Sequence, residues 1–316
     1  ILDEAQAIKN HTTQKYKAVC KVRSRVRFAL TGTPVENRLG ELWSIFSFLM
    51  PGYLPPYKNF CARFEKPIVQ EEDANAVRRL NQLTGPFILR RMKADVLREL
   101  PPKTENVHRI ELDTEQRKLY LAAVVDAREK LRAAKPEDKM AVFAVLMRLR
   151  QICCDPRLVA DNWSGGSAKL DACMELVTAA VEGGHRILLF SQFTSMLDLL
   201  AQRLDEAGGS HFTLQGSTPK PVRAERVRRF NAGEASVFLI SLRAGGTGLN
   251  LTAADIVIHY DPWWNVAAQN QATDRAYRIG QKNPVQVYKL IAQDTIEEKI
   301  VELQQAKQSL ADTVTG

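Results

Sequence analysis

Two carboxylates stand side by side near the start of this chain, in "ILDEAQAIKN", where Asp3 and Glu4 close a short apolar run. Adjacent acids at a strand's end can divide two tasks of phosphoryl transfer, one holding magnesium and the other positioning the attacking water. The same pair also makes an ordinary solvated turn. A second apolar run, "VRFALT" (26–31), leads into "TGTP" at 31–34. Its hydroxyls and glycine suit a loop that senses phosphate. A plain strand-to-helix turn, capped by Thr33 with Pro34 at the first helical position, explains them equally well. Far downstream, "QNQATDRAYRIGQ" (269–281) places Arg275 and Arg278 three residues apart. On a helix this spacing turns both guanidinium groups to one face. Planar forks there suit phosphate oxygens, and an arginine finger is worth about 10³–10⁵ in rate. Two ion-paired surface arginines are the alternative. "SLRAGGTGLNL" (241–251) weighs against it, because glycines and hydroxyls directly after a buried strand let backbone approach a phosphate closely.

Such groups act only if strand ends present them. "RILLFS" (186–191), "SVFLIS" (236–241), "DIVIHY" (255–260) and "VQVYKLI" (285–291) are short apolar runs suited to strands buried on both faces, and "HFTLQG" reads as a further strand. Helical spacing fills the gaps between them, in "FTSMLDLLAQRLDEAGG", "KPVRAERVRRFNAG", "NVAAQNQATDRAYRIG" and "TIEEKIVELQQAKQSLAD". Strands alternating with helices predict an α/β fold with a parallel, doubly wound sheet. Ligands of such sheets bind at the carboxyl ends of the strands. The first 50 residues read as part of a second sheet, with "ILDE" and "VRFALT" as strands and "TTQKYKAVCKV" and "GELWSIFSFLM" as helices. Two strands fall short of the three or more that a stable sheet needs, so the chain is expected to be the downstream portion of a longer protein. Between the two sheets a largely helical stretch contains "TEQRKLYLAAVVDAREKLRAA" and "EDKMAVFAVLMRLRQICC", and "DNWSGGSAK" (161–169) reads as a linker. The expected division is 1–55, 56–165 and 166–316.

The chain has 316 residues, about two domains' worth, with 45% hydrophobic and 25% charged content. No apolar run is long enough to span a bilayer, and no signal-peptide pattern occurs. Forty-four lysines and arginines against thirty-six acids give a net charge of +8, which favours polyanions. The five cysteines lack paired CxxC spacing and read as reduced thiols, and the histidines are scattered without metal-ligand spacing.

Taken together the motifs resemble those of the Swi/Snf-type DNA-translocating ATPases of helicase superfamily two. "LDEAQAIKN" resembles the family's Asp-Glu-Ala-His motif, with Gln6 where histidine is commoner, and "LTGTPVENRLGELWSIFSFLMPGYL" resembles its third. "FILRRMKADVLRELPPKTE" and "LRQICCDP" resemble blocks between its two lobes, with Asp155 where histidine is frequent. "RILLFSQFTSMLDLL", "LQGST", "SLRAGGTGLNLTAAD" and "QATDRAYRIGQ" resemble motifs four to six, and "DTIEEKI" resembles the helix that braces the lobes. In "DPWWNVAAQNQA", Val266 replaces the usual proline and Asn270 the usual acid.

The resemblance implies RecA-like lobes, ATP with Mg2+ held by Asp3, a water oriented by Glu4, and Arg275 and Arg278 reaching the γ-phosphate across the cleft. It implies that Gln6, Thr31, Gly32, Thr33, Gly246, Gly248 and Gln271 couple the phosphate state to movement. Double-stranded DNA would be gripped through its backbone by Ser191, Gln192, Gln215, Arg243, Ala244, Gly245 and Thr247. A transcription or repair complex is the kind of protein partner it suggests, with no membrane. Trp263 and Trp264 read either as a stacking platform or as a packed loop anchor. No glycine-rich loop ending in Gly-Lys-Ser/Thr occurs in the 316 residues. In the family that loop precedes the Asp-Glu motif, so the chain alone is expected to lack its main grip on the β and γ phosphates. A DNA-binding or interaction module without hydrolysis is the competing expectation, and an RNA helicase a weaker one.

Overall fold

The computed structural model describes residues 1–32, 35, 38–91, 93–97, 99–133, 138–245 and 248–315. The chain folds as two compact units. One contains Ile1–Val96, Asn265–Ala267 and Leu303–Gly316; the other contains Leu97–Trp264 and Ala268–Glu302.

The larger unit is organised by six parallel strands: β1 (Lys103–Ile110), β2 (Ile187–Ser191), β3 (His211–Leu214), β4 (Val237–Ser241), β5 (Ile256–His259) and β6 (Val285–Ala292), in the order β1-β6-β5-β2-β4-β3. The apolar runs read in the sequence become β2, β4, β5 and β6. Every residue of β2, β4 and β5 is buried, because helices cover both faces. Ile187 and Leu189 pack with Val237, Leu239, Ile256 and Ile258 against the Ala168–Glu182 and Thr194–Glu206 helices. Leu188 and Phe190 point the other way, joining Phe238, Ile240 and Val257 with Phe230 of the Lys220–Asn231 helix. This is the predicted doubly wound α/β arrangement. Each such buried aliphatic or aromatic side chain contributes ~1.5–3 kcal/mol.

Strand β1 falls inside the stretch read as helical. "KTENVHRI" carries little apolar signal, and seven of its eight residues are exposed. Its strand state comes from an eight-residue parallel register with β6, Lys103 opposite Val285 through Ile110 opposite Ala292. Two long helices, Thr114–Ala133 and Lys139–Cys154, follow it as read and share a small core with Leu112 and Ala292.

Buried polar contacts fasten these parts. Lys169 and Glu297 form an ion pair with both side chains fully buried. Glu297 also accepts the Ala292 N–H at 2.8 Å, and the Tyr260 hydroxyl donates to the Cys154 carbonyl at 2.9 Å. Burial, the largest influence, lowers the Lys169 pKa, but the Glu297 charge, the hydrogen bond to it and the neighbouring Cys153 and Cys154 together outweigh it, and the net shift is upward. All five cysteines are free. Burial pushes the Cys153 and Cys154 thiols up, and the Cys173 thiol to about 12, so these three are unreactive.

The smaller unit has its own core of Leu39, Leu42, Phe46, Leu54, Phe60, Phe64, Ile68 and Leu80. The Leu39–Leu49 helix supplies much of it. The Gln14–Cys20 helix starts where Thr13 accepts the Tyr16 N–H. The two apolar runs pair in parallel through a single bridge, Leu2 to Ala29. Leu2 N–H donates to Phe28 O at 2.8 Å, Leu30 N–H to Leu2 O at 2.8 Å, and Ala5 N–H to Leu30 O at 2.9 Å. No longer strand forms here among the described residues.

Candidate functional site

The parallel pairing in the smaller unit brings Asp3, Glu4 and Thr31 to the same end of two neighbouring segments. Asp3 and Glu4 are exposed. Asp3 accepts the Glu4 N–H on one carboxylate oxygen at 2.9 Å, and its other oxygen has no partner among the described residues. Glu4 sits in the left-handed region, at φ 50° and ψ 51°, as the chain turns into the Ala5–Ile8 3-10 helix. A non-glycine residue there costs about 1–2 kcal/mol, and such strain gathers where a side chain must be aimed. Gln6 joins the pieces: its amide NH2 donates to the Glu4 carboxylate, and its carbonyl accepts the Thr31 hydroxyl at 2.7 Å. Sequence spacing cannot show that link, since Gln6 and Thr31 are 25 residues apart. A Cβ on Gly32 would meet nothing within 4 Å, so open space lies beside the network. Thr33 lies outside the described residues.

In the larger unit the loop after β4 collects the other predicted groups. Arg275 is 9% exposed and donates from Nε to the Gly245 carbonyl at 2.9 Å. Arg278, half-buried, donates from Nη1 to the Leu249 carbonyl at 3.3 Å. The two are not on a helix, which corrects the sequence reading. The helix runs only over Val266–Thr273. Beyond it the bonding tightens, with Arg275 N–H on Ala272 O, Ala276 N–H on Thr273 O and Arg278 N–H on Ala276 O, and Gly280 follows at φ +100°. The arginines share a target because both reach one loop, not because three residues make a helix face.

Gln281 fixes this turn and was not singled out in the sequence. Its amide donates to the carbonyls of Thr252, Ala254 and Ala276, at 3.2, 2.7 and 3.2 Å. Gly245 is a packing glycine, since a Cβ there would lie 2.9 Å from the Phe190 ring. Gly248 has φ +49°, where glycine avoids strain. Ala244 is buried, Arg243 is exposed and Gln271 is half-buried; Gly246 and Thr247 lie outside the described residues.

The remaining predicted contacts sit at the ends of β2 and β3. Ser191 is 1% exposed and donates its hydroxyl to Asp261 at 2.7 Å. The Gln192 N–H reaches the same Asp261 oxygen at 3.1 Å. Arg150, from the Lys139–Cys154 helix, ties this corner together. Its fully buried guanidinium donates to Gln192 Oε1 at 2.9 Å, Asp261 Oδ2 at 3.1 Å and the Pro262 carbonyl at 2.7 Å. Phe193, Trp263 and Trp264 lie 5.4, 5.5 and 5.7 Å from it. Both indoles are thus packed against a buried cation. Gln215 donates to Asp198 at 3.0 Å and stands apart from this corner. A cavity of about 720 Å³ between the two long helices, walled by Ala123, Ala127, Ala144 and Leu149, contains none of the predicted residues.

The matches to known proteins follow these same segments. An SNF2-related domain matches residues 1–158 and a helicase conserved C-terminal domain residues 168–280. The Sulfolobus solfataricus SWI2/SNF2 ATPase core in complex with dsDNA aligns with a TM-score of 0.59 at 37% identity, covering 99% of this chain and 68% of that one. The chain belongs to the SNF2 family. The putative ATP-dependent helicase/translocase YwqA of Bacillus subtilis is 42% identical over 322 residues, covering 99% of this chain and 35% of that protein. The SWI/SNF-related matrix-associated actin-dependent regulator of chromatin subfamily A member 1 of Mus musculus is 38% identical over 327 residues, covering 99% and 31%. This SNF2-family chain therefore spans about a third of the length of those two relatives. Its fold is the parallel-sheet α/β fold of the ATPase core.

Among the described residues no group of three or more His, Cys, Asp or Glu could hold a metal by itself. Asp3 and Glu4 nevertheless suit magnesium, which takes hard oxygen donors and is commonly held by one or two carboxylates together with substrate phosphates. No helix among the described residues is long and apolar enough to cross a membrane.

Proposed function

We propose that these domains serve an ATP-dependent translocase acting on double-stranded DNA, with both halves of the nucleotide chemistry on this chain. The observation that carries the reading is the Gln6 bridge, which connects the Glu4 carboxylate to the Thr31 hydroxyl. Asp3 holds magnesium, directly or through water, and Glu4 orients the attacking water and receives its proton. Magnesium, when bound with the nucleotide, neutralises charge on the phosphate oxygens. Gln6, Thr31, Gly32 and Thr33 report the phosphate state to the backbone. Arg275 and Arg278 stabilise charge on the γ-phosphate. The loop they grip carries Arg243 to Gly248, so the arginine side chains link nucleotide state to DNA contact, and Gln271 takes part in the same coupling.

DNA is held through its backbone by Arg243, Gln192, Gln215 and the 244–247 backbone. Ser191 acts by holding its loop, since its hydroxyl is committed to Asp261. The phosphate-gripping glycine loop is not among the 316 residues, and in this proposal the rest of a longer protein supplies it. The second reading, a DNA-binding module without hydrolysis, rests on that same observation. Location follows the DNA, nucleoid-associated in a bacterium or nuclear in a eukaryote.

The test is ATP hydrolysis by the full-length protein with and without duplex DNA, compared with Glu4→Gln and Arg278→Ala. Turnover falls at least about a hundredfold in each, while salt-sensitive DNA binding persists. Turnover that survives both substitutions would sink the assignment.

A further inference from the structure

The two edges of the six-stranded sheet are unlike. Strand β3 closes one of them with four residues, none of them exposed. Strand β1 closes the other with eight, seven of them exposed. In its ladder with β6, the Val285 N–H donates to the Pro102 carbonyl at 3.0 Å and the Gln293 N–H to the Ile110 carbonyl at 2.9 Å. A strand's residues turn their backbone groups to alternate sides, so the even-numbered ones between these points bond β6. Lys103, Glu105, Val107 and Arg109 therefore turn their N–H and C=O groups away from the sheet. Among the described residues nothing bonds those groups.

Such an edge is a template for another strand, and natural sheets often blunt it with charge. This edge is charged, but its charges complement themselves. When a second copy of β1 lies antiparallel with the two Val107 residues opposite each other, Glu105 faces the second copy's Arg109. Lys103 faces the second copy's Glu111, which is exposed just past the strand. A two-fold axis through Val107 repeats both pairs. Every residue in them turns its backbone outward, so the pairs are of the hydrogen-bonded kind. Opposite charges placed so are stabilising and like charges are not. Sliding the copies by two residues sets Glu105 against Glu111 or Lys103 against Arg109. Sliding them by four sets Glu105 or Arg109 against itself. Val107, 44% exposed in one copy, meets an apolar partner in the favoured register. Within one chain Glu105 pairs with Lys103 at 2.7 Å and Lys289 at 2.6 Å, and Arg109 lies 3.5 Å from Glu298. These contacts and the β6 ladder already order the edge, which lowers the cost of pairing.

We propose that β1 is the interface of a two-fold dimer, in which two copies of this chain join through an antiparallel β1–β1 ladder centred on Val107. A ladder of this length buries little area, so Kd is on the order of 10 μM. Nothing in the pairing depends on the nucleotide chemistry.

The test is the mass of the full-length protein by analytical ultracentrifugation, from about 1 to 100 μM, without DNA or nucleotide. Mass should rise from monomer to dimer across that range. Val107→Pro removes an outward N–H and spares the β6 ladder, a place where an edge strand tolerates proline. It should raise Kd at least about tenfold with the melting temperature unchanged. Arg109→Glu and Glu105→Lys each set like charges against one another across the axis, and each alone should stay monomeric. Mixed in equal amounts, the two should form a heterodimer, because each altered position then faces an opposite charge. A dimer that survives Val107→Pro, or that mixing the two charge variants fails to restore, overturns the proposal. An unmodified protein that is monomeric at every concentration overturns it too, and leaves the edge to a strand from another protein.

Discussion

The carboxylates of the smaller unit stand on three backbone hydrogen bonds and one parallel bridge. Arg275 and Arg278 stand on the loops of a six-stranded sheet in which strands β2, β4 and β5 are wholly buried. Asp3 and Glu4 are exposed, while Arg275 is 9% exposed and hydrogen-bonded to Gly245. In the proposed reaction the groups that meet a hydrated cation and a water face solvent, and Glu4 among them is held in the left-handed region at φ 50°. The Arg275 guanidinium, proposed to reach a phosphate, has its long side chain ordered by a contact that also holds the fold. If the proposed roles hold, Asp3 and Glu4 serve chemistry alone, while Arg275 serves chemistry and also stabilises the fold.

The largest expected effects test that separation directly. In the full-length protein, Glu4→Gln should remove ATP turnover by two orders of magnitude or more, with a melting temperature unchanged within about 1 °C, since it deletes no buried contact. Arg275→Ala should lose about 10³–10⁵ in turnover and also destabilise the larger unit by about 1–3 kcal/mol, because it leaves a buried carbonyl unpaired. Equal melting temperatures in the two variants would break the distinction.

Next in size is the buried pair. Lys169→Met should cost about 3–5 kcal/mol by leaving the buried Glu297 carboxyl without its cation, and adding Glu297→Leu should restore most of it. Urea melts followed by a probe in each unit would sharpen the comparison, since only the larger unit's transition should move. A pH effect follows from His259, whose ring is buried on the Thr273 hydroxyl at 2.8 Å. Burial first, then the charge of Lys289, pulls its pKa down to about 3 from the ordinary 6.5. The folded state holds it neutral, so its stabilising contribution is intact above about pH 6.5. Below that pH it is lost, by about 1.4 kcal/mol per pH unit as pH falls toward 3. His259→Asn should flatten that slope, as read from melting temperature against pH. The smallest effect belongs to Gln6→Ala. It should cost less than about 1 kcal/mol of stability, since the lost hydrogen bonds are partly exposed. It should lower DNA-stimulated turnover about tenfold, by uncoupling Glu4 from Thr31. No change in the ratio of stimulated to basal turnover would count against the bridge.

Much of this was legible in the residues. Continuous apolar runs such as "ILLFS" and "VFLIS" suit strands covered on both faces, being too short for buried helices and rich in apolar residues, and the helical spacing between them points to the class of fold. The carboxylates, the Thr-Gly-Thr segment and the two arginines stand out in the sequence as candidates, because phosphate chemistry restricts residue type and favours positions after strands. Strand β1 was not legible, for "KTENVHRI" has no buried face of its own and becomes a strand only beside β6, some 180 residues later. Arg150 reads as one more charge on an amphipathic helix. Its role depends on Gln192, Asp261 and two indoles that the chain delivers from more than 40 and 110 residues away.

The sequence by itself determined the doubly wound α/β class, most of its strands and helices, and the chemical groups at their ends. Side-chain type and local periodicity are enough for that. Tertiary structure alone decided the strand order, the turn that carries Arg275 and Arg278, the loop they share and the Gln6 link between Glu4 and Thr31. Those depend on which distant backbone carbonyls and hydroxyls come within hydrogen-bond reach, and no local pattern encodes a partner that the chain meets only after it has folded.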